Sequence, residues 1–359
     1  MAQRGHVLRI FPRRSLDVRY FTDDPARELD GLRPHGPGWW LRGAGDTTDP
    51  ECVRGVLAAS EKASVVGYDI VLAAPRPVSV LLAIDEPSGA ALVAAHRHAV
   101  AEALGYLEER GLTVRSQLAG ERYDLAARWE SVVAFTHGVN RHGEPHLHDH
   151  VLVGARPAGE DVVLDRRSLS VHASAADALY LATLRHEVNT RTSWRAWRSF
   201  QGVEHVVGVD EGYRVLWGGH YEGRGEKIYW SREEARATWR DDLARYHLEA
   251  APSAPARTFD AHAFAASFEG ALSVTRRQVV QAWAHASTFG ERATRIDAGL
   301  DTLAPELFHE RGVHEASITV TRARGLVPSI SRLHVLDRAR ESTRHRERER
   351  DSRAGSRSR

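Results

Sequence analysis

Several residue types are nearly missing from this 359-residue chain, and each absence narrows what the protein can be. A single cysteine, Cys52, excludes an internal disulfide and any zinc site built on thiolates, so a bound metal needs histidine and carboxylate ligands. No stretch approaches the ~18 consecutive apolar residues of a membrane helix. The opening Met1-Ala2-Gln3-Arg4-Gly5-His6 lacks the apolar core of a signal peptide, so the expected location is the cytoplasm. Lysine is almost absent: Lys62 and Lys227 are the exceptions among 49 basic residues, and the rest are arginine. The planar guanidinium fork matches phosphate oxygens in pairs, so a formal net charge of only +1 is still compatible with a nucleic-acid partner. No G-x-x-x-x-G-K-[ST] phosphate loop occurs in these residues, which excludes a motor of that type among them.

What remains alternates strand and helix patterns and predicts an α+β fold. An opening strand at 7–11 stops at Pro12, and Ser15 is placed to cap a helical turn carrying Tyr20. Residues 32–49, rich in Gly and Pro around Trp39 and Trp40, read as an irregular loop or flap. A short helix at 50–60 precedes a buried strand at 65–72 that ends at Pro75-Arg76-Pro77, and an Ala-rich helix spans 88–110, closed by Gly111. Strands follow at 112–118, 128–137, 145–155 and 162–164, the second with the alternation of a half-buried strand. Helix is expected from 166 to 190 and from 235 to 249, with a small strand pair at 203–216 between them. Residues 251–257 form a Pro/Ala linker, 261–287 and 293–303 are helical, and the tail from Asp337 carries nine Arg against five acids, the pattern of a disordered segment.

The chemistry concentrates in Pro145-His146-Leu147-His148-Asp149-His150, followed by Val151-Leu152-Val153. Side chains of a strand alternate faces, so His146, His148 and His150 share one side, and three imidazoles with open coordination positions suit a catalytic metal. Core histidines satisfied by hydrogen bonds are the plain alternative. The Gly/Asn-rich loop 138–144 makes strands 128–137 and 145–155 an antiparallel hairpin, which carries His137 toward the same place. Any two of the first three together with His137 serve equally well.

His137, a ten-residue gap, and His148-Asp149-His150 behind Pro145 resemble the metal-binding motif of MobF-type conjugative relaxases, members of the HUH endonuclease superfamily. Gly67-Tyr68-Asp69-Ile70-Val71-Leu72-Ala73-Ala74-Pro75-Arg76-Pro77-Val78-Ser79 is similar to that family's G-x-D-x-x-x-S-A-P-K-S-V-S segment, and Tyr20-Phe21 lies where it places its nucleophilic tyrosines. The resemblance covers about residues 8–246 in matching order. It implies a palm-like central antiparallel sheet flanked by helices in a catalytic unit at 1–250, with helical fingers at 170–250. A small helical appendage at 258–335 and the Arg-rich tail at 336–359 follow the linker.

The resemblance also assigns roles. His137, His148 and His150 become the metal ligands, with His146 a neighbour; Tyr20 becomes the nucleophile, and Asp69 the carboxylate that orients a ligand histidine. Trp39 and Trp40 are expected to stack on unpaired bases and Arg76 to contact phosphate. The cofactor implied is a divalent ion, Mg²⁺ or Mn²⁺ first, with Zn²⁺ or Ni²⁺ compatible with imidazoles. The partner implied is single-stranded or hairpin DNA at an origin of transfer, nicked through a 5′-phosphotyrosyl intermediate, with a separate helicase and a conjugation coupling protein. Three departures stand out: Tyr-Phe replaces a tyrosine pair, residues 22–31 hold no further tyrosine, and Arg76 replaces a lysine. They keep open a second reading, a catalytically impaired protein that binds the origin without cutting it.

Overall fold

The computed structural model describes residues 8–22, 39–43, 45–58, 64–84, 89–118, 121–140, 142–156, 164–191, 197–200, 203–206, 209, 217, 232–246, 259–307 and 316–334. The expected linker, the charged tail and most of the expected flap lie outside these residues. In chain order the elements begin with β1 (Leu8–Arg13), α1 (Arg19–Thr22), β2 (Trp39–Arg42), α2 (Pro50–Ala58), β3 (Gly67–Ala73), α3 (Arg76–Ile84) and α4 (Gly89–Tyr106). They continue with β4 (Thr113–Leu118), β5 (Glu121–Ala126), β6 (Val132–Val139), β7 (Pro145–Gly154), α5 (Arg166–Arg191), β8 (Trp197–Phe200), β9 (Val203–Val206) and α6 (Arg232–Tyr246). The last are α7 (Ala261–Ala266), β10 (Ser273–Thr275), α8 (Arg276–Ala286), α9 (Ala293–Leu303), β11 (Ser317–Thr319) and α10 (Val320–Arg324).

Five of the strands form the central sheet in the order β1-β3-β7-β6-β2, and every neighbouring pair is antiparallel. The expected α+β class and antiparallel palm are thus the observed ones. The sheet is covered on both faces. Ile70, Leu72, Ala134, Val151 and Val153 pack into one hydrophobic cluster with Leu92, Ala99 and Val100 of α4 and Leu179 and Ala182 of α5. Alanines recur along both helices at the contact, and such small side chains let two helices and a sheet approach closely. The opposite face carries a smaller cluster of Val133, Phe135 and Leu152 with Val18, Phe21, Val53 and Leu57. At its far end α2 crosses the paired glycines Gly67 and Gly154, where an added Cβ would lie 2.3 Å from Leu57 Cδ2 and 2.7 Å from the Val56 carbonyl.

Several expectations need correction. β1 runs through Pro12 to Arg13 because it is an edge strand, where a residue without an N–H is tolerated. The expected flap contains strand β2 at Trp39–Arg42, the other edge of the sheet. The half-buried strand at 128–137 is instead β6, buried on both sides because each face of the sheet has its own cover. The prolines at 75–77 end β3 and also open an unexpected helix, α3, since the first turn of a helix does not use its N–H groups. Strand β5, unforeseen, pairs with β4.

The C-terminal region departs most from its sequence reading. The single helix expected at 261–287 is interrupted by Gly270 in the left-handed region (φ 78°), then by β10, which pairs with β11. Helix restarts at Thr275, whose side chain and that of Gln278 form a capping box. Nor does this region hang apart from the sheet domain. Val279, Trp283 and Ile296 share one cluster with the α4 and α5 residues, and buried Arg110 and Arg276 both pair with Asp297 and Asp301.

Candidate active site

The hairpin β6–β7 brings His137 directly opposite His148 in register, with Phe135 opposite His150. Its turn is tightly held. Asn140 Oδ1 accepts from the backbone N–H groups of His142 (2.9 Å) and Glu144 (3.0 Å), Gly143 takes a positive φ of 75°, and the Trp239 indole donates to the Gly143 carbonyl from α6 at 2.9 Å. Arg76 closes the same corner, donating to the Pro145 carbonyl at 3.0 Å and pairing with buried Glu144 at 3.2 Å. Its guanidinium, expected at a phosphate, is therefore engaged in holding the hairpin.

His137, His148 and His150 offer ring nitrogens that all lie within 4.8 Å of one another. The resemblance-derived set is the one that converges, and His146 stacks outside it, 4.6 Å from His148 between ring centroids. Two tautomers follow from the hydrogen bonds. The His150 Nδ1–H donates to both oxygens of Asp69 at 3.0 Å, and the His148 Nδ1–H donates to the His146 carbonyl at 2.8 Å. Each bond leaves Nε2 as a free lone pair, the state a metal-binding imidazole needs. Burial pushes the His148 pKa well down and that of His146 down to about 4, the latter also repelled by the Arg76 charge, so both rings are neutral at neutral pH. The donor set and the hydrogen-bonded orientation of His148 and His150 fit a divalent ion.

Tyr20 stands beside this cluster. Its ring centroid is 5.7 Å from that of His150 and 6.1 Å from that of His137, while 47% of the residue is exposed. The helical turn that presents it is capped by Asp17 rather than Ser15: the Asp17 carboxylate accepts from the Arg19 backbone N–H at 3.0 Å, and Ser15 Oγ accepts from Asp17 N–H at 3.1 Å. Phe21 anchors the turn. It is buried and stacks on Phe135 at 5.1 Å, so the two neighbours divide into a fixed root and an exposed phenol. The apolar partner is what holds the tyrosine at the histidines.

The structure places the expected base-stacking tryptophans on edge strand β2. Trp39 is partly buried on the opposite face of the sheet, where its indole donates to Asp149 Oδ2 at 3.0 Å and its ring lies under the Arg97 guanidinium. Behind it runs a buried chain that sequence reading missed. Asp149 Oδ1 lies 3.0 Å from His96 Nε2, and His96 Nδ1 lies 2.8 Å from the Tyr180 hydroxyl. A carboxylate only accepts, so Nε2 carries the proton and Tyr180 donates to Nδ1; burial and the nearby Asp149 charge keep that phenol protonated. The one signal available was the acid itself, set between two histidines in an otherwise apolar strand.

The TrwC relaxase family matches residues 22–218. Two solved structures of the conjugative relaxase TrwC in complex with oriT DNA, one metal-bound and one copper-bound, are similar to this chain at 18% identity with a TM-score of 0.51. They cover 67% of this chain and 99% and 98% of theirs. A TrwC complex with a 27-mer DNA comprising the recognition hairpin and the cleavage site aligns at 17% identity and a TM-score of 0.48, over 67% of this chain and 99% of that one. No curated protein sequence matches. Among the described residues no helix is long and apolar enough to cross a membrane. With a family match across more than half of its residues, on the antiparallel sheet described above, the chain belongs to the TrwC relaxase family, a family of DNA relaxases.

Proposed function

We propose that the protein nicks single-stranded DNA at an origin of transfer, site- and strand-specifically, through a 5′-phosphotyrosyl intermediate on Tyr20. The observation that carries this reading is the exposed phenol held 5.7 Å, ring to ring, from His150. Tyr20 Oη attacks the phosphorus in line, the bond to the 3′ oxygen breaks, the phenolic proton passes to solvent, and the departing 3′ oxygen takes a proton from solvent to leave as a hydroxyl. A phenol with a pKa of about 10 is a weak nucleophile at neutral pH, so the site needs an electrophile beside the phosphate. A divalent ion held by His137, His148 and His150 would stabilise the charge that builds on the phosphate oxygens. Asp69 fixes the His150 ring with its Nε2 toward that position. Phe21 keeps Tyr20 from swinging away.

Because the phosphotyrosyl bond conserves the energy of the diester, the step reverses and permits a second strand transfer. Mg²⁺ or Mn²⁺ is the proposed working ion, although three imidazoles also suit Zn²⁺ or Ni²⁺. Trp40 remains a proposed DNA contact, while the polar groups of Trp39 and Arg76 are bonded within the protein. Unwinding and delivery are assigned to a helicase and a coupling protein. The catalytic unit is assigned to residues 1–250, with the fingers following α5, which itself covers the sheet.

The test is a covalent adduct. The protein is incubated with Mn²⁺ or Mg²⁺ and single-stranded DNA carrying the intergenic sequence upstream of its own gene, then run on a denaturing gel. An adduct that disappears in Tyr20→Phe is expected. Metal-dependent binding without any adduct would instead favour an origin-binding protein that does not cut.

A further inference from the structure

The outward row of β1 is not used by the chemistry above. Leu8 and Ile10 turn toward the α4–α5 cluster, so Arg9 and Phe11 project to the face that carries the histidines. Register places them closely: Phe11 is the direct partner of Asp69, and Arg9 is the partner of Val71, itself opposite His150. Neighbouring strands lie about 4.8 Å apart, so Arg9 and His150 stand in one row roughly 10 Å apart at their Cα atoms. Phe11 is 47% exposed, one of four large apolar residues left in solvent among the described residues. An exposed phenylalanine beside a carboxylate–imidazole pair has no packing reason to be aromatic. Arg9 is exposed and makes no ion pair among the described residues, while Arg13, next in the row, lies over the Phe21 ring and donates to the Asp17 carbonyl.

We infer that Phe11 and Arg9 form a nucleotide subsite on edge strand β1: Phe11 is a platform for one base flanking the scissile phosphate, and Arg9 binds an adjoining phosphate. An exposed ring stacks on any base face, and a free guanidinium beside it neutralises the backbone, which is the pairing that single-strand binders use. The edge position suits this purpose, because among the described residues no strand pairs with the outer side of β1. The inference rests on the relaxase reading and adds to it where the strand runs once the scissile phosphate is at the histidines.

The experiment measures binding of the full chain to a fluorescein-labelled oligothymidylate of about 16 nucleotides, a length one such groove can cover, across a salt series. Phe11→Leu keeps the apolar bulk but removes the ring face; it should bind about 5- to 150-fold more weakly, the equivalent of one lost base stack, with an unchanged salt slope. Phe11→Trp should bind at least as well as the native chain. Arg9→Gln should lower the slope of log K against log salt by about 0.7, one phosphate contact to a single strand. Full binding by Phe11→Leu, or an unchanged slope in Arg9→Gln, overturns the subsite and leaves the relaxase reading standing. Failure of the native chain to bind the oligonucleotide would overturn both.

Discussion

On one face of β7, partly exposed His150 pairs with Asp69 next to buried His148; on the other, Asp149 is sealed beneath α4 and α5 against His96 and Tyr180. Each face joins an aspartate to a histidine at 3.0 Å, yet the environments differ. Asp69 and His150 keep 13% and 16% of their side chains exposed, and the imidazole has its second nitrogen turned toward two other histidines. Asp149 and His96 are fully buried, and the second imidazole nitrogen is occupied by a phenol. The same pair of residue types thus serves as an orienting contact in one place and as a closed polar bracket in the other. What distinguishes them is whether the outer nitrogen has a partner.

The comparison can be broken by mutating each side in turn. The largest effect is expected at the converging ligands: His137→Ala should abolish measurable Mn²⁺ binding by titration calorimetry, whereas His146→Ala should change it little. Equal losses in both would remove the distinction between ligand and neighbour. On the buried face, Asp149→Ala should lower unfolding stability by about 3–5 kcal/mol in denaturant titration, since it strands His96 and the Trp39 indole in the interior. A loss under about 1 kcal/mol would mean that the bracket contributes little to the fold.

A pH series sharpens the same contrast in metal-free protein. His146 has its pKa held down to about 4 in the folded state, against about 6.5 when unfolded, so the unfolded chain binds the extra proton first. Stability from this group is fully present above pH 6.5 and is lost as pH falls toward 4, by about 3 kcal/mol at most. His146→Asn should flatten that part of the denaturation profile, and an unaltered slope would refute the assignment. Asp69→Asn should weaken metal binding about 10- to 100-fold with little change in melting temperature. Trp39→Phe removes one hydrogen bond to a carboxylate and should cost about 1.5–3 kcal/mol of unfolding stability without altering metal affinity.

Much of the site was legible before the fold was known because its parts are local. Alternation along a strand is a property of the backbone, so His148 and His150 had to share a face, and the Gly/Asn turn at 138–144 had to return His137 toward them. Tyr20 was harder to place. Residues 19–22 form a single turn whose position depends on Phe21 finding Phe135, a partner more than a hundred positions away. The internal bonds of Trp39 and Arg76 were hidden for a related reason. Composition marks a tryptophan in a Gly-rich stretch or an arginine after a proline as available, whereas Asp149, Glu144 and the Pro145 carbonyl claim them through contacts between distant strands and loops.

From its residues alone the chain declared an α+β class, a histidine hairpin without thiol rivals, and an arginine-rich composition, each a consequence of local periodicity or residue content. Tertiary structure decided which histidines converge, which aspartate faces solvent and which is sealed, and which aromatic rings are bare. It also made the C-terminal helices part of the core, through Trp283 and Ile296 in the α4–α5 cluster and the Arg110 and Arg276 pairs with Asp297. The physical reason is the same throughout: alternation assigns a side chain to a face, but only the elements packed on that face determine whether it meets water, a partner or a ligand.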